Sequence, residues 1–166
     1  MPNDVFRATD AVLMLAVDEK ESPEGQAADP VIADYGLSSA VGRLRGVTVQ
    51  VFSDVRPFYE IGRRYPTHLR PGVIQTTGRV ERAHVNGALL RLLLGAGAVS
   101  PPPTGNFPQP SFNIIARLQE ASPEGPFTEI TVFGAKFASW SYTVPAEDFV
   151  MEDVTFRALR VAFAES

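Results

Sequence analysis

Cysteine does not occur among the 166 residues, which excludes disulfides, thiolate nucleophiles and zinc–thiolate sites at once. Histidine is nearly as scarce: His68 and His84 stand a strand's length apart, and no HExxH or other compact ligand motif surrounds them. No GxSxG follows a strand signal, and Gly95 and Gly97 are followed by no lysine with serine or threonine, so neither a hydrolase elbow nor a phosphate loop is written here. Catalytic residues, cofactors and metal ligands are each expected to be none, and the chain is not expected to be an enzyme. Long apolar runs are missing as well. Ala11 to Val17 and Leu89 to Leu94 are the most apolar windows, far short of the roughly 18 residues a membrane helix requires, so no membrane partner is expected. The opening MPNDVFRATD lacks the basic start and apolar stretch of a secretory signal, and the expectation is folding in the cytoplasm.

Positive charge is also in deficit: 15 basic against 19 acidic side chains leave a net charge of −4. Counterion release rewards each phosphate a protein neutralises, so tight nucleic-acid binding by the molecule as a whole is disfavoured. The basic residues that do cluster are Arg56, Arg63, Arg64, His68 and Arg70, with Asp54 and Glu60 as the only carboxylates among them. That spacing reads as a wet loop or a subunit contact. Glu147-Asp148 and Glu152-Asp153 lack EF-hand spacing and read as salt-bridging or solvated surface.

What is present is β-pattern. One domain over residues 1–166 is the simplest organisation for a chain of this length, with 1–45 as an N-terminal arm or extension that is harder to place. Ala8 to Val17 reads as a short strand, and Glu19 to Pro30 as a loop from its Ser22-Pro23-Glu24-Gly25 turn chemistry. Val31 to Leu44 is open between a short helix and an irregular arm. GVTVQVFSDV puts Val47, Val49 and Val51 on one face and Thr48, Gln50 and Phe52 on the other, the period of a strand. Gly62 to Gly72 reads as a charged, proline-restrained loop. From Val73 to His84 a second long strand sets Ile74, Thr76, Val80, Arg82 and His84 against Gln75, Thr77, Arg79 and Glu81, neither side wholly apolar.

At Asn86 the period changes to that of a helix running to Leu94, with Asn86 as its cap and Gly95 as its stop. A helix this short is marginal alone and must lie as a lid on the sheet. Gly95 to Pro110, with Pro101, Pro102 and Pro103 in succession, reads as an extended connector. Strands follow over Ser111 to Glu120, Glu129 to Thr143 with a bend at Gly134, and Val150 to Phe163, where a bulge could shift the facing residues. The turn Pro123 to Pro126 and the link Val144 to Glu147 are too short for parallel crossovers. The fold class is therefore mainly β: an antiparallel β-sandwich or barrel with one short flanking α-helix and an extended hairpin loop.

Two stretches, YEIGRRYPTHLRPGVIQTTGRVERAHVNGALLRLLLG and FTEITVFGAKFASWSYTVPAEDFVMEDVTFRALRV, resemble, in order and in phrase, the tail tube proteins of tailed phages and their relatives in contractile injection machines. With Ser111 to Glu120 they cover about half of the chain. The resemblance implies a structural virion protein whose homo-hexameric rings stack into the inner tail tube, a conduit for genome delivery. Its implied partners are sheath where the tail contracts, baseplate and neck or terminator proteins, with double-stranded DNA passing transiently through the lumen. Its implied place is the virion tail, assembled in the host cytoplasm.

Carried over by residue, Arg56 to Gly72 would be the loop that reaches a neighbouring ring, with Arg56, Arg63, Arg64, Tyr65, His68 and Arg70 as inter-ring candidates. Val73 to Ala83 and Val150 to Val161 would be strands of the tube framework. Gln75, Thr77, Arg79, Glu81, Arg82, Glu152 and Arg157 are then the tube-wall or lumen candidates. Ala8 to Leu44 and the proline triplet depart from simpler members. Two further readings compete: a small β-barrel binding single-stranded nucleic acid through Phe133, Phe137, Trp140 and Tyr142, and a hydrolase, for which no coherent nucleophile and base exist.

Overall fold

The structure is a computed structural model that describes residues 11–42, 44–84, 86–100, 108–119 and 127–165. Seven strands and two short helices occur in the order β1 (Ala11–Val17), α1 (Pro23–Asp34), β2 (Leu44–Phe58), β3 (His68–Ala83), α2 (Ala88–Leu94), β4 (Phe112–Gln119), β5 (Phe127–Thr143), β6 (Met151–Ala158) and β7 (Arg160–Glu165). All pairings are antiparallel, and the mainly β class expected from the pattern is the class found. The proline triplet and the turn Pro123 to Pro126 lie outside the described residues.

The strand order β1-β4-β5-β6-β3-β2 is one sheet folded over on itself, and β5 is the strand that makes the corner. Its first half lies between β4 and β7, and its second half pairs with β6. Gly134 sits at the turn with φ of +63°, where a Cβ would also come within 2.6 Å of Leu159. Opposite it, Leu159 interrupts what the sequence reads as one strand from Val150 to Phe163, leaving β6 and β7 end to end along one edge of β5. A glycine in the left-handed region against a bulged neighbour is how a strand passes from one layer to another.

Between the layers lie Leu13, Leu15, Phe112, Ile114, Val132, Phe137, Val154 and Phe156, all buried. The helix α2 closes one side with Ala88, Leu89 and Leu92, the lid that its apolar spacing requires. Asn86 caps it from one residue further out than expected: its Oδ1 accepts from Ala88 N–H at 3.1 Å, while Gly87 is the boundary residue. Gly95, φ +60°, ends the helix, but residues 95–98 then form a 3₁₀ turn where the glycines suggested only an extended connector.

The segment Glu19 to Pro30, expected as a loop, is largely helical. The Ser-Pro-Glu stretch is a helix start: Ser22 Oγ accepts from Gly25 N–H at 3.0 Å, and Pro23 occupies the first turn, where a missing N–H costs nothing. Pro30 stands inside the helix, which persists because Ala28, Val31 and Ile32 are buried against the sheet. The residues after it run along the outer side of β1, with Leu15 N–H bonded to Leu37 O and Val41 N–H to Leu13 O, each at 2.9 Å. That edge of the sheet is therefore covered. Among the described residues there are two α-helices, then, not one.

Candidate assembly surfaces

The second half of β5 together with β6, β3 and β2 makes a four-stranded layer whose two faces differ completely. In an antiparallel ladder directly opposed residues share a face. The pairing Thr48↔Arg79↔Thr155↔Ser139 therefore lays one polar row across four strands, and Gly46↔Glu81↔Asp153↔Ser141 lays a second. A third row, Gln50↔Thr77↔Arg157↔Lys136, completes a face without an apolar side chain larger than alanine across those rows. Arg79 Nε donates to both oxygens of Asp153 at 2.8 and 2.7 Å, and Arg79 Nη2 lies 2.7 Å from Glu81. The hydrogen bonds to Asp153, and then its charge, raise the Arg79 guanidinium pKa above its ordinary value, so this cation is permanent. Ser139 and Thr155 hydroxyls meet at 2.6 Å.

Four of the sequence candidates, Thr77, Arg79, Glu81 and Arg157, share this face, and Gln75 carries the same phase onto the hairpin beyond β6. Arg82 and Glu152 do not, and as lumen candidates they are corrected. Each is 1% exposed, because their odd–even phase turns them into the core. There Arg82 Nε donates to Glu152 Oε1, Arg82 Nη1 to Val41 O at 2.7 Å, and Arg82 Nη2 to Asn86 Oδ1 at 3.0 Å. The other carboxylate oxygen of Glu152 accepts from Trp140 Nε1 at 3.0 Å and lies 3.3 Å from His84 Nδ1. This network joins β3, β5, β6, the start of α2 and the segment after α1. The sequence carried no local signal for it, since the pairing of β3 with β6 that brings the two charges together is a tertiary contact.

The aromatic row divides in the same way. Phe137 is buried, and Trp140 stacks on Tyr142 at 5.5 Å on the core side, with His84 edge-on to Tyr142 at 4.9 Å. Phe133 carries the Arg160 guanidinium 4.0 Å from its ring centroid. None of the four rings stands on the polar face, so they offer it no stacking platform.

Beyond Thr76 the hairpin of β2 and β3 leaves the body. β6 accompanies β3 only from Thr76 to Ala83, so the hairpin of residues 52–75 has no strand partner but itself. At roughly 3.4 Å per residue, 68–75 carry the arm about 27 Å outward. The expected loop from Gly62 to Gly72 is shorter than that: β3 already begins at His68, and Pro71 and Gly72 stand inside it opposite the irregularity between Ser53 and Val55. All six inter-ring candidates lie on this arm. Arg56 is held by Asp54 at 3.0 Å, Arg63, Arg64 and Tyr65 are in the tip, and His68 and Arg70 flank Phe58, the Arg70 guanidinium 5.8 Å from its ring.

Charge is not what most distinguishes the arm. Ile61 is fully exposed and Tyr65 77% exposed, and Val51, Phe52, Val55, Phe58, Leu69, Val73 and Ile74 are all exposed as well. A two-stranded ribbon is marginal in water, and one apolar on both faces demands a covering surface. The layer's edges are equally incomplete. Among the described residues no strand lies on the outer side of β2, nor beside 136–143 of β5, where Gln109 Nε2 donates to Phe137 O at 2.6 Å. No group of three or more possible metal ligands occurs among the described residues.

No family model and no curated protein matches the sequence. Solved structures do match the fold. A chain from the cryo-EM structure of an extracellular contractile injection system, the PVC sheath–tube complex in its extended state, has a TM-score of 0.65 at 12% identity, over 99% of this chain and 94% of that one. A chain of the anti-feeding prophage tube-terminating cap gives 0.64 at 10% identity, over 100% and 95%. A chain of the SPP1 tail tube gives 0.54 at 11% identity, over 98% and 80%. At such identities the likeness is one of fold: this chain has the tail-tube fold that its sequence resembles.

Proposed function

We propose that this chain is a structural subunit that self-assembles into stacked hexameric rings, the inner tube of a phage tail or related injection machine, and serves as a conduit for genome delivery. One observation carries the reading: a four-stranded layer, polar on one side and core-packed on the other, is unpaired at both edges and prolonged by an arm that its own subunit leaves bare. Copies joined edge to edge, β2 of one beside β5 of the next, would leave no strand edge open. Six copies bring roughly 24 strands, which at about 4.8 Å spacing and about 40° tilt close a wall roughly 48 Å across from backbone to backbone. The polar face then lines the bore, and the helices stand outside.

Its charges suit passage. Lys136, Arg79 and Arg157 stand against Glu81 and Asp153, and Arg79 is occupied by both carboxylates. Three cations against two carboxylates leave the wall close to neutral, so no strongly basic lining stands ready to hold a phosphate chain in transit. Sheath, baseplate and neck or terminator proteins are the partners such a tube would meet, in a virion tail assembled in the host cytoplasm. Negative-stain electron microscopy of concentrated protein tests the reading: rings or hollow filaments with a bore of about 35–40 Å are expected. Protein that stays monomeric at millimolar concentration, even with an assembled baseplate as a nucleus, overturns it.

A further inference from the structure

The bare arm has a chemical complement at the opposite end of its own sheet. β3 runs from the arm tip to Ala83, which pairs with Met151, so the 144–150 turn between β5 and β6 lies at the far end from the tip. That turn is apolar where a connection would normally be polar. Phe149 is 78% and Val144 65% exposed, and Phe149 borders a shallow concavity with Leu44, Ala83 and Met151. Asp148 and Arg45 complete its lining, and the exposed carboxylate Glu147 precedes Asp148 in the chain. Asp148 Oδ1 accepts from Phe149 N–H at 2.7 Å, which fixes the turn.

The arm presents the converse. Ile61 and Tyr65 are exposed at its tip among Arg63 and Arg64, with Arg70 further down, while Arg56 is already neutralised by Asp54. Arg63 and Arg64 outnumber Glu60 beside the apolar groups at one end of the sheet, and Glu147 and Asp148 outnumber Arg45 beside those at the other, so the two ends are complementary in net charge and suit a head-to-tail contact. A translation along the sheet brings them together, and such a contact repeats without closing. We propose that the concavity at the 144–149 turn is the socket for the arm of a second copy in the next ring, with Glu147 and Asp148 pairing with the arm's arginines. This rests on the tube reading and adds to it the receiving surface.

Charge reversal tests it. Tubes of Glu147→Lys with Asp148→Lys are expected to be shorter by about tenfold or more, since like charges then face one another across the contact. Rings should still form, because the β2 and β5 edges are untouched. Adding Arg63→Glu with Arg64→Glu to the same chain should restore length. The absence of cysteine gives an independent readout: Arg64→Cys and Asp148→Cys in one chain should yield, on oxidation, a ladder of multimers on a non-reducing gel, whereas either alone should stop at dimers. Full-length tubes after the first reversal, or short tubes that the second does not lengthen, would overturn the socket while leaving rings intact. Failure of the unaltered protein to form rings would overturn the tube reading beneath it.

Discussion

Arg82 and Glu152 put the sharpest energetic demand on any single side chain. Two charges removed from water are tolerable only when every remaining lone pair and proton is occupied. Here Val41 O, Asn86, Trp140 and His84 complete the set. Glu152→Gln removes the charge and leaves the Arg82 guanidinium buried without compensation. We expect a loss of about 3–5 kcal/mol in urea unfolding of the unassembled subunit; a loss below about 1 kcal/mol would mean that the network does not tie the layers together. Gly78 has a different constraint. A Cβ there would lie 2.2 Å from the Phe156 ring and 2.4 Å from Thr48 O, so the residue is glycine because a core aromatic passes directly over the backbone.

Among the elements, the arm is separable from the core in a way that α2 is not. The helix contributes fully buried leucines, whereas residues 54–73 touch the body nowhere along β6. Ser53 and Ile74 are directly paired, so replacing 54–73 by Asn-Gly closes the hairpin with a two-residue turn of the favoured kind. The shortened chain is expected to unfold within about 0.5 kcal/mol of the parent, as surface changes remote from the core do. It should form single rings and no filaments by electron microscopy. Loss of the fold would place the arm in the core. The period-two alternation of β2 and β3 announced both strands and both faces, because a half-buried ribbon must alternate. Helix α1 was not legible: its Ser-Pro start is also turn chemistry, and only burial of Val31 and Ile32 against the sheet decides between them.

For the molecule as a whole, the proposed assembly would combine a screened attraction with an unscreened one. Arginine and carboxylate steering between rings acts over a Debye length of about 10 Å at 0.1 M salt and about 3 Å at 1 M. The proposed apolar contact of Ile61 and Tyr65 with Phe149 would not be weakened by salt. Tube elongation followed by light scattering is therefore expected to slow by about tenfold or more between 0.05 and 1 M sodium chloride, while finished tubes diluted into 1 M salt persist. Tubes that fall apart in salt would show that charge alone holds the rings.

The sequence by itself determined the mainly β class, the alternating faces of the long strands and the lid helix, since each follows from local periodicity. Tertiary structure alone decided which strands form the open four-stranded layer, where β5 turns between layers at Gly134, and that Arg82 and Glu152 face inward. Those depend on partners far apart in the chain: Glu152 finds Arg82 across 70 positions, and no local pattern records which buried charge will meet its counterpart.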